Sequence, residues 1–346
     1  MSTRDRTWFA VVIGLTVLAV ALKVGSVRGE IVFGAASVAL MALAWLLGEA
    51  TDQAGNTAGP RVSALLNATF GNLPEVVIVI LAINAGLEDI ARASIIGSVI
   101  GNILLILGLS LILGGWKNGI QTFNERVAGM NSSMLILGVA GLGIPTLFAA
   151  LHDSDSADVL SVWTGAALLL CYGAYIVFTF SMPGQQLEDE PGRVRWSIRE
   201  AVFALAVTAV ATGVVSELLV DSIKPTVESL GVPRPFVGLI LVPFVGNVAE
   251  HFSAVRLAYR NRVDFAMGIA FGSGIQIALG ASGIAVFSSM LLGNELSLVF
   301  DPLQLAALGA AALVATLVAR GGETNWLEGL QLLVIYLIVA VAVWLQ

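Results

Sequence analysis

The sequence predicts an all-α membrane protein of eleven transmembrane helices: one extra N-terminal helix plus two inverted five-helix repeats with broken helices at the centre. Three observations carry this. The 346 residues are 57% hydrophobic and 12% charged, too apolar for a soluble domain of this length to hide. Apolar runs of bilayer length follow one another with short loops between them. A motif in the third run returns in the eighth, 175 residues later.

The predicted spans are 7–27, 30–50, 62–85, 92–115, 131–151, 157–181, 199–224, 235–259, 264–292, 302–320 and 326–345. Each is bounded by charges, Pro, Gly or Asn, and each approaches the ~20 residues a helix needs to cross the hydrocarbon layer. The first run has many successors of similar length, so it is expected to be a retained span and not a cleaved signal. With the N-terminus inside, 12 of the 17 Lys and Arg fall on the inner side and 5 on the outer side. That asymmetry predicts a cytoplasmic N-terminus and an outside C-terminus, as in a multi-pass protein of a prokaryotic plasma (inner) membrane. Cys171 is the single cysteine and lies in an apolar run, which excludes a disulfide framework or a thiolate cluster within the chain. The net charge of −7 comes without a dense basic cluster, so no nucleic-acid partner is expected. The lipid bilayer is the expected surrounding, and homo-oligomerisation is left open.

The repeat holds its register without a gap from Gly71 to Leu104. Gly71-Asn72-Leu73-Pro74-Glu75 is echoed by Gly246-Asn247-Val248-Ala249-Glu250, and Gly97-Ser98 by Gly272-Ser273. Asp89, Ala91, Ile100 and Leu104 match Asp264, Ala266, Ile275 and Leu279 at the same offset. Five spans per copy is an odd number, so the second copy enters the membrane upside down, the plan of many secondary transporters. The predicted organisation is an extra helix in 1–29, a first repeat in 30–181, a cytoplasmic linker in 182–198 and a second repeat in 199–346. The acidic run Gln185-Gln186-Leu187-Glu188-Asp189-Glu190 in the linker reads as a solvated loop.

Glu75 and Glu250 fall near the middle of their spans. A carboxylate there costs at least ~2.5–3.5 kcal/mol on insertion scales, which makes each a functional candidate. Their equivalent placement in two repeats argues against a packing role. Pro74 cannot donate to the carbonyl of Phe70, and Pro243 likewise frees that of Leu239. Breaks at Gly71-Asn72 and Gly246-Asn247 would expose carbonyls and half-helix ends at the repeat interface. Carboxylates, amides and carbonyls are the oxygens a hard divalent cation takes. Gly71, Asn72, Gly246 and Asn247 therefore join the two glutamates as candidate cation and proton site, with Glu75 and Glu250 as the metal-binding carboxylates. Ser98, Asn102, Ser273 and Gln276 on the following spans are secondary candidates, with Gly101 and Gly274 expected to allow close helix approach. His251 points about 100° away from Glu250 around the helix and could carry protons; His152 reads as a surface residue.

With both carboxylates ionised the empty site holds two negative charges, costly to occlude in a low-dielectric interior. One divalent cation or two protons would neutralise it. A protein that switches sides only when the site is neutral couples the two flows.

These residues also carry a resemblance. Gly71-Asn72-x-x-Glu75 with Gly97-Ser98-x-x-x-Asn102, and Gly246-Asn247-x-Ala249-Glu250-His251 with Gly272-Ser273-x-x-Gln276-Ile277-Ala278-Leu279, resemble the cation/proton exchanger branch of the calcium/cation antiporter superfamily. The likeness runs over both halves. It implies a Ca²⁺/H⁺ antiporter, not an enzyme, with Ca²⁺ as transported substrate, H⁺ as counter-ion and no cofactor. It also implies that the first two spans and the seventh act as gates. Gln276 and His251 favour the proton branch, whereas Pro74 before Glu75 follows the sodium branch, so a Na⁺-driven Ca²⁺ exchanger stands as the alternative. An intramembrane metal-dependent hydrolase is remote: the chain has two histidines and no His-Glu-x-x-His spacing.

Overall fold

The computed structural model describes residues 1–152, 154–181 and 195–346. Asp153 and the acidic run 185–190, with most of the predicted linker, lie outside the described residues.

The chain is a succession of apolar helices: α1 (Thr3–Val24), α2 (Gly29–Ala58), α3 (Pro60–Phe70), α4 (Leu73–Asn84), α5 (Glu88–Ile100), α6 (Leu107–Asn118), α7 (Glu125–Ala149), α8 (Ser154–Ser181) and α9 (Ile198–Leu230). After the short α10 (Arg234–Phe236) and α11 (Val242–Gly246) come α12 (Val248–Tyr259), α13 (Val263–Ile275), α14 (Ser282–Leu292), α15 (Pro302–Val318) and α16 (Trp326–Trp344). Three π-helical turns, Gly101–Ile106, Val237–Leu241 and Gln276–Ala281, join α5 to α6, α10 to α11 and α13 to α14. A two-residue ladder, β1 (Gln121–Thr122) against β2 (Glu323–Thr324), ties two connections together. Caps set several starts. Ser197 and Glu200 form a reciprocal capping box at α9, as do Asn325 and Glu328 at α16.

Among the described residues nine helices are long and apolar enough to cross a membrane. The pair Arg234–Gly246 and Val248–Tyr259, bent by 62°, makes a tenth, and Pro302–Val318 is a shorter apolar helix. This is a multi-pass membrane protein. α2 and α9 run further than their predicted ends at 50 and 224. Both helices continue past the charges there with Thr51, Gln53, Ser222 and Thr226 buried in protein, while Asp52, Asp221 and Lys224 are exposed.

Element bounds recur at the 175-residue offset. α4 matches α12, α5 matches α13, and the turn Gly101–Ile106 matches Gln276–Ala281. In space α2 lies along α9, with α1 beside both; α9 also packs on α4, and α6 packs on α12 and α16. The glycines expected to bring helices together are not the ones that do. A side chain at Gly101 would meet open space, and one at Gly274 would make ordinary contact with Ile103. Close approach falls instead at Gly97, where an added Cβ would collide with the Leu239 carbonyl and Pro243, and at Gly238, 2.7 Å from the Ala93 Cβ. The π-turn that begins at Gly101 carries that residue away from the helix seam.

Candidate functional site

Helix α3 stops at Phe70 and α4 begins at Leu73, with Asn72 out of helical geometry at φ −107°, ψ 27°. Asn247 repeats this between α11 and α12 at φ −90°, ψ 16°. The breaks fall where Pro74, or Pro243 one turn upstream, denies the backbone a donor. Each glutamate is therefore the third residue of a new half-helix, close to its positive N-terminal end.

The asparagines at the two breaks are held crosswise. Asn72 donates through Nδ2 to Gln276 Oε1 and accepts from Ser273 Oγ at 2.7 Å. Asn247 accepts from Asn102 Nδ2 at 3.0 Å and donates to Ser98 Oγ at 3.5 Å and the Pro243 carbonyl at 2.8 Å. Each half's break is thus buttressed by the other half's Gly-Ser helix. The structure places these six residues in two hydrogen-bonded groups, Asn72 with Ser273 and Gln276, and Asn247 with Ser98 and Asn102. It adds one departure: Gln276 matches Gly101 at the repeat offset and Asn102 matches Ile277, so the two amides come from adjacent helix positions. The longer glutamine reaches the asparagine that its own register would miss.

Glu75 is 2% exposed, and neither of its oxygens has a hydrogen-bond partner among the described residues. Its carboxylate rests against Gly246, where an added Cβ would lie 2.8 Å from Oε1. Gly246 thus makes room for the acid of the opposite half. Gly71 ends α3, its N–H bonding the Asn67 carbonyl. Glu250, four residues beyond Gly246, is half-buried. A Cβ added at Gly48 of α2 would lie 3.6 Å from that of Ala249. His251 is half-buried and tilts against Phe244 with ring centroids 5.2 Å apart. His152 is exposed and stacked on Phe148.

The surroundings of the two glutamates differ. On the α3 and α12 side, Leu65, Asn67, Thr69, Phe252 and Ser253 are exposed. Gly272 has nothing within 4 Å, although Gly97, its partner at the repeat offset, is pressed against Leu239 and Pro243. α3 therefore stands off α13, while the turn before α11 is packed onto α5. The site is thus more open toward α3 and α12 and more sealed toward α4 and α11, where Phe244 is nonetheless 46% exposed. Near the open end a cavity of about 380 Å³ is lined by Asp5, Glu49, Arg195, Arg256, Trp8 and Trp45 among others.

Several contributors carried no sequence signal. Tyr172 donates to the Ala68 carbonyl in the last turn of α3, 3.3 Å away, while its ring rests on Gly280 of the second half's π-turn. Asn294 donates to the Ile83 carbonyl at the far end of α4, and Gln121 to the Ala258 carbonyl at the far end of α12, both at 2.9 Å. Both glutamate-bearing half-helices are thus anchored away from the site. Among the described residues no three His, Cys, Asp or Glu side chains converge on a metal position. A cation held by the two glutamates would draw its other oxygens from amides, carbonyls and water.

Comparison with known proteins bears on the family and the fold. A Ca(2+)/H(+) antiporter of Aphanothece halophytica is 34% identical over 336 residues, covering 90% of this chain and 89% of the relative. The Ca(2+)/H(+) antiporter ChaA of Bacillus subtilis is 35% identical over 326 residues, covering 91% and 92% respectively. The solved structure of native YfkE superposes with a TM-score of 0.86 at 33% identity, covering 98% of this chain and 100% of that one. Residues 29–181 and 200–345 match the family described as "Sodium/calcium exchanger protein", and the chain belongs to that family.

Proposed function

We propose that the chain exchanges Ca²⁺ for H⁺ across the membrane by alternating access, with Glu75 and Glu250 binding the cation or protons in turn. The observation that carries this reading is the carboxylate pair itself. Two acids head the half-helices of two offset-related breaks, and the Glu75 carboxylate rests against Gly246, four residues before Glu250, at the other break. Relatives aligned over nine-tenths of the chain are named Ca²⁺/H⁺ antiporters. The protein is a transporter and not a hydrolase, with Ca²⁺ as cargo and no cofactor.

The chemistry follows from charge. Two ionised carboxylates cannot be enclosed alone, because desolvation and mutual repulsion add. A divalent cation satisfies both, and so do two protons; either leaves a neutral site that can be closed on one side and opened on the other. The half-helix N-termini stabilise the ionised form without adding a mobile charge. Asn72 and Asn247 are fixed by cross-half hydrogen bonds, so they present a preorganised frame. Gly246 keeps space for the Glu75 carboxylate at that frame.

The same reading assigns eleven spans, counting the bent pair and Pro302–Val318 as one each. One helix in 1–29 precedes inverted repeats in 30–181 and 199–346, joined by the linker 182–198, with the N-terminus cytoplasmic and the C-terminus outside. The coincident element bounds at the 175-residue offset support the repeat, and the Lys/Arg asymmetry supports the orientation. The open side is then cytoplasmic. Pro74 keeps sodium as the rival driving ion.

The test is Ca²⁺ uptake by proteoliposomes with pH and sodium gradients imposed separately. Uptake should follow the pH gradient and ignore sodium at clamped pH. Glu75→Gln and Glu250→Gln should each fall at least ~100-fold, about 2.7 kcal/mol of lost cation affinity. Uptake that is the same with and without the pH gradient overturns proton coupling, and uptake that survives both substitutions overturns the site.

A further inference from the structure

Three hydroxyls on α2 and α9 have no part in the site described above. Ser37 and Thr212 stand 175 residues apart, the offset that relates Glu75 to Glu250, and Ser216 lies about one turn beyond Thr212. Ser37 is 8% exposed and the other two 0%, yet none of the three oxygens has a hydrogen-bond partner among the described residues.

That is not how these helices treat their other hydroxyls. A Ser or Thr inside a membrane helix ordinarily bonds the carbonyl of the preceding turn. Thr51 does so to Leu47 at 2.8 Å, Thr208 to Ala204 at 2.7 Å and Thr226 to Ser222 at 2.6 Å. A buried, unpaired hydroxyl is unfavourable and calls for a partner in some state of the molecule. The location suggests which state. α9 runs from the open end, where Arg195 precedes it, to the sealed end, where Asp221 pairs with Lys23 at 3.0 Å. Thr212 is near its middle and Ser216 beyond the middle on the sealed side. Ser37 lies about two turns from the sealed end of α2. α9 packs on α4, the half-helix that carries Glu75.

We propose that Ser37, Thr212 and Ser216 line the passage between Glu75 and the sealed face, and that their oxygens replace water around the divalent cation when that passage opens. The inference rests on the exchanger reading. Neutral hydroxyls suit such a wall: they offer oxygen to a hard cation without the fixed charge that would trap it. Ser94 and Ser110 are equally buried and unpaired but lie on α5 and α6, off α2 and α9, and supply a comparison.

Because Cys171 is the single cysteine, Cys171→Ser gives a background for single-cysteine labelling. Ser37→Cys, Thr212→Cys and Ser216→Cys in vesicles should react with a membrane-impermeant methanethiosulfonate applied from the sealed side. Their rates should be about tenfold above those of Ser94→Cys and Thr208→Cys, and should scale with the population of the alternate state as Ca²⁺ or pH shifts it. Labelling no faster than those controls, or only from the side that reaches Ser253→Cys, overturns the passage. Independently, Thr212→Val with Ser216→Ala should raise the KM for Ca²⁺ presented at the sealed side about threefold or more and leave the opposite KM unchanged. An equal change on both sides means a packing role and overturns the proposal. If the parent vesicles exchange no Ca²⁺ for H⁺, the exchanger reading fails, whereas the labelling result stands by itself.

Discussion

Helix α4 buries Pro74, Glu75, Ile78, Val79, Ala82 and Ile83, whereas α12, which starts and stops 175 residues later, buries Val248, Ala254 and Ala258. The frames of the two helices are alike: both begin after an asparagine out of helical geometry, both carry Glu third, and both are anchored at the far end by an amide from elsewhere in the chain. Their side chains and their neighbours differ, with Ser253 at the place of Ile78 and Arg256 at that of Leu81. The turn before α11 is locked onto Gly97 of α5, and the corresponding stretch of α3 has left Gly272 of α13 uncovered. One sequence plan used twice therefore occupies two environments at once, as a half-turned alternating-access cycle requires. Switching would exchange the two environments and leave the glutamates on their anchored half-helices.

The largest effect should come from filling the empty half of that comparison. Gly272→Ala adds a methyl where nothing lies within 4 Å, so the state seen here tolerates it. In the alternate state α3 would close on α13 as the α11 turn now closes on Gly97, and the methyl would meet backbone. Overpacking of ~1–3 kcal/mol confined to one state shifts the equilibrium roughly 5–150-fold. Exchange turnover should fall by that order while Ca²⁺ still binds from the open side. Gly97→Ala should act with the opposite sign, because its methyl collides in the present state. Labelling of Ser253→Cys in the cysteine-free background reads both: faster with Gly272→Ala, slower with Gly97→Ala. The same direction of change for both would mean that the two glycines are not counterparts.

The amide pair offers a smaller, sharper test. Asn102 and Gln276 hold the two break asparagines from adjacent register positions, so their side-chain lengths are matched to different backbones. Gln276→Asn should leave Asn72 short of its acceptor and raise the KM for Ca²⁺ about tenfold, the scale of a lost supporting contact at a metal site. Asn102→Gln should crowd the buried position, 0% exposed, and lower stability more than affinity. A thermal-shift measurement beside the uptake KM separates the two. Equal changes in both quantities for both variants would remove the distinction between the halves.

What the sequence disclosed follows the same division. Gly71-Asn72 and Gly246-Asn247 announced the breaks because proline and glycine act on the local backbone, and the glutamates announced themselves by their cost in lipid. The small and polar residues of the following spans were recognisable as a set. Their pairing was not, because Asn72 meets Ser273 and Asn247 meets Asn102 across 201 and 145 residues of chain. The one-residue shift between Asn102 and Gln276 depends on which face the π-turns present, and no composition rule marks a π-turn in advance. Tyr172, Asn294 and Gln121 were hidden because a residue that caps a carbonyl of a distant helix looks, in sequence, like any polar residue near a span end. The open and sealed sides belong to one conformation of a two-state molecule and have no counterpart in residue type.

The smallest effect is expected where α1, α2 and α9 are tied to each other. Arg195 pairs with Glu49 of α2 and with Asp5 of α1 at 3.5 Å, and its backbone N–H donates to Gln53 Oε1 at 2.8 Å. At the other end Lys23 of α1 pairs with Asp221 of α9. Arg195 thus ties α1 and α2 to the start of α9 at one end and Lys23 ties α1 to α9 at the other, an arrangement in which the three helices would shift together and keep these ion pairs. Arg195 is about half exposed, and a pair of that kind contributes ~0.2–1 kcal/mol that salt screens. Arg195→Ala should therefore change exchange turnover by less than about threefold, leave the Ca²⁺ KM unaltered and lose its effect at high ionic strength. A larger, salt-independent loss of turnover would show that the latch opens during the cycle, and the moving boundary would then run between α2 and α9 instead of around them.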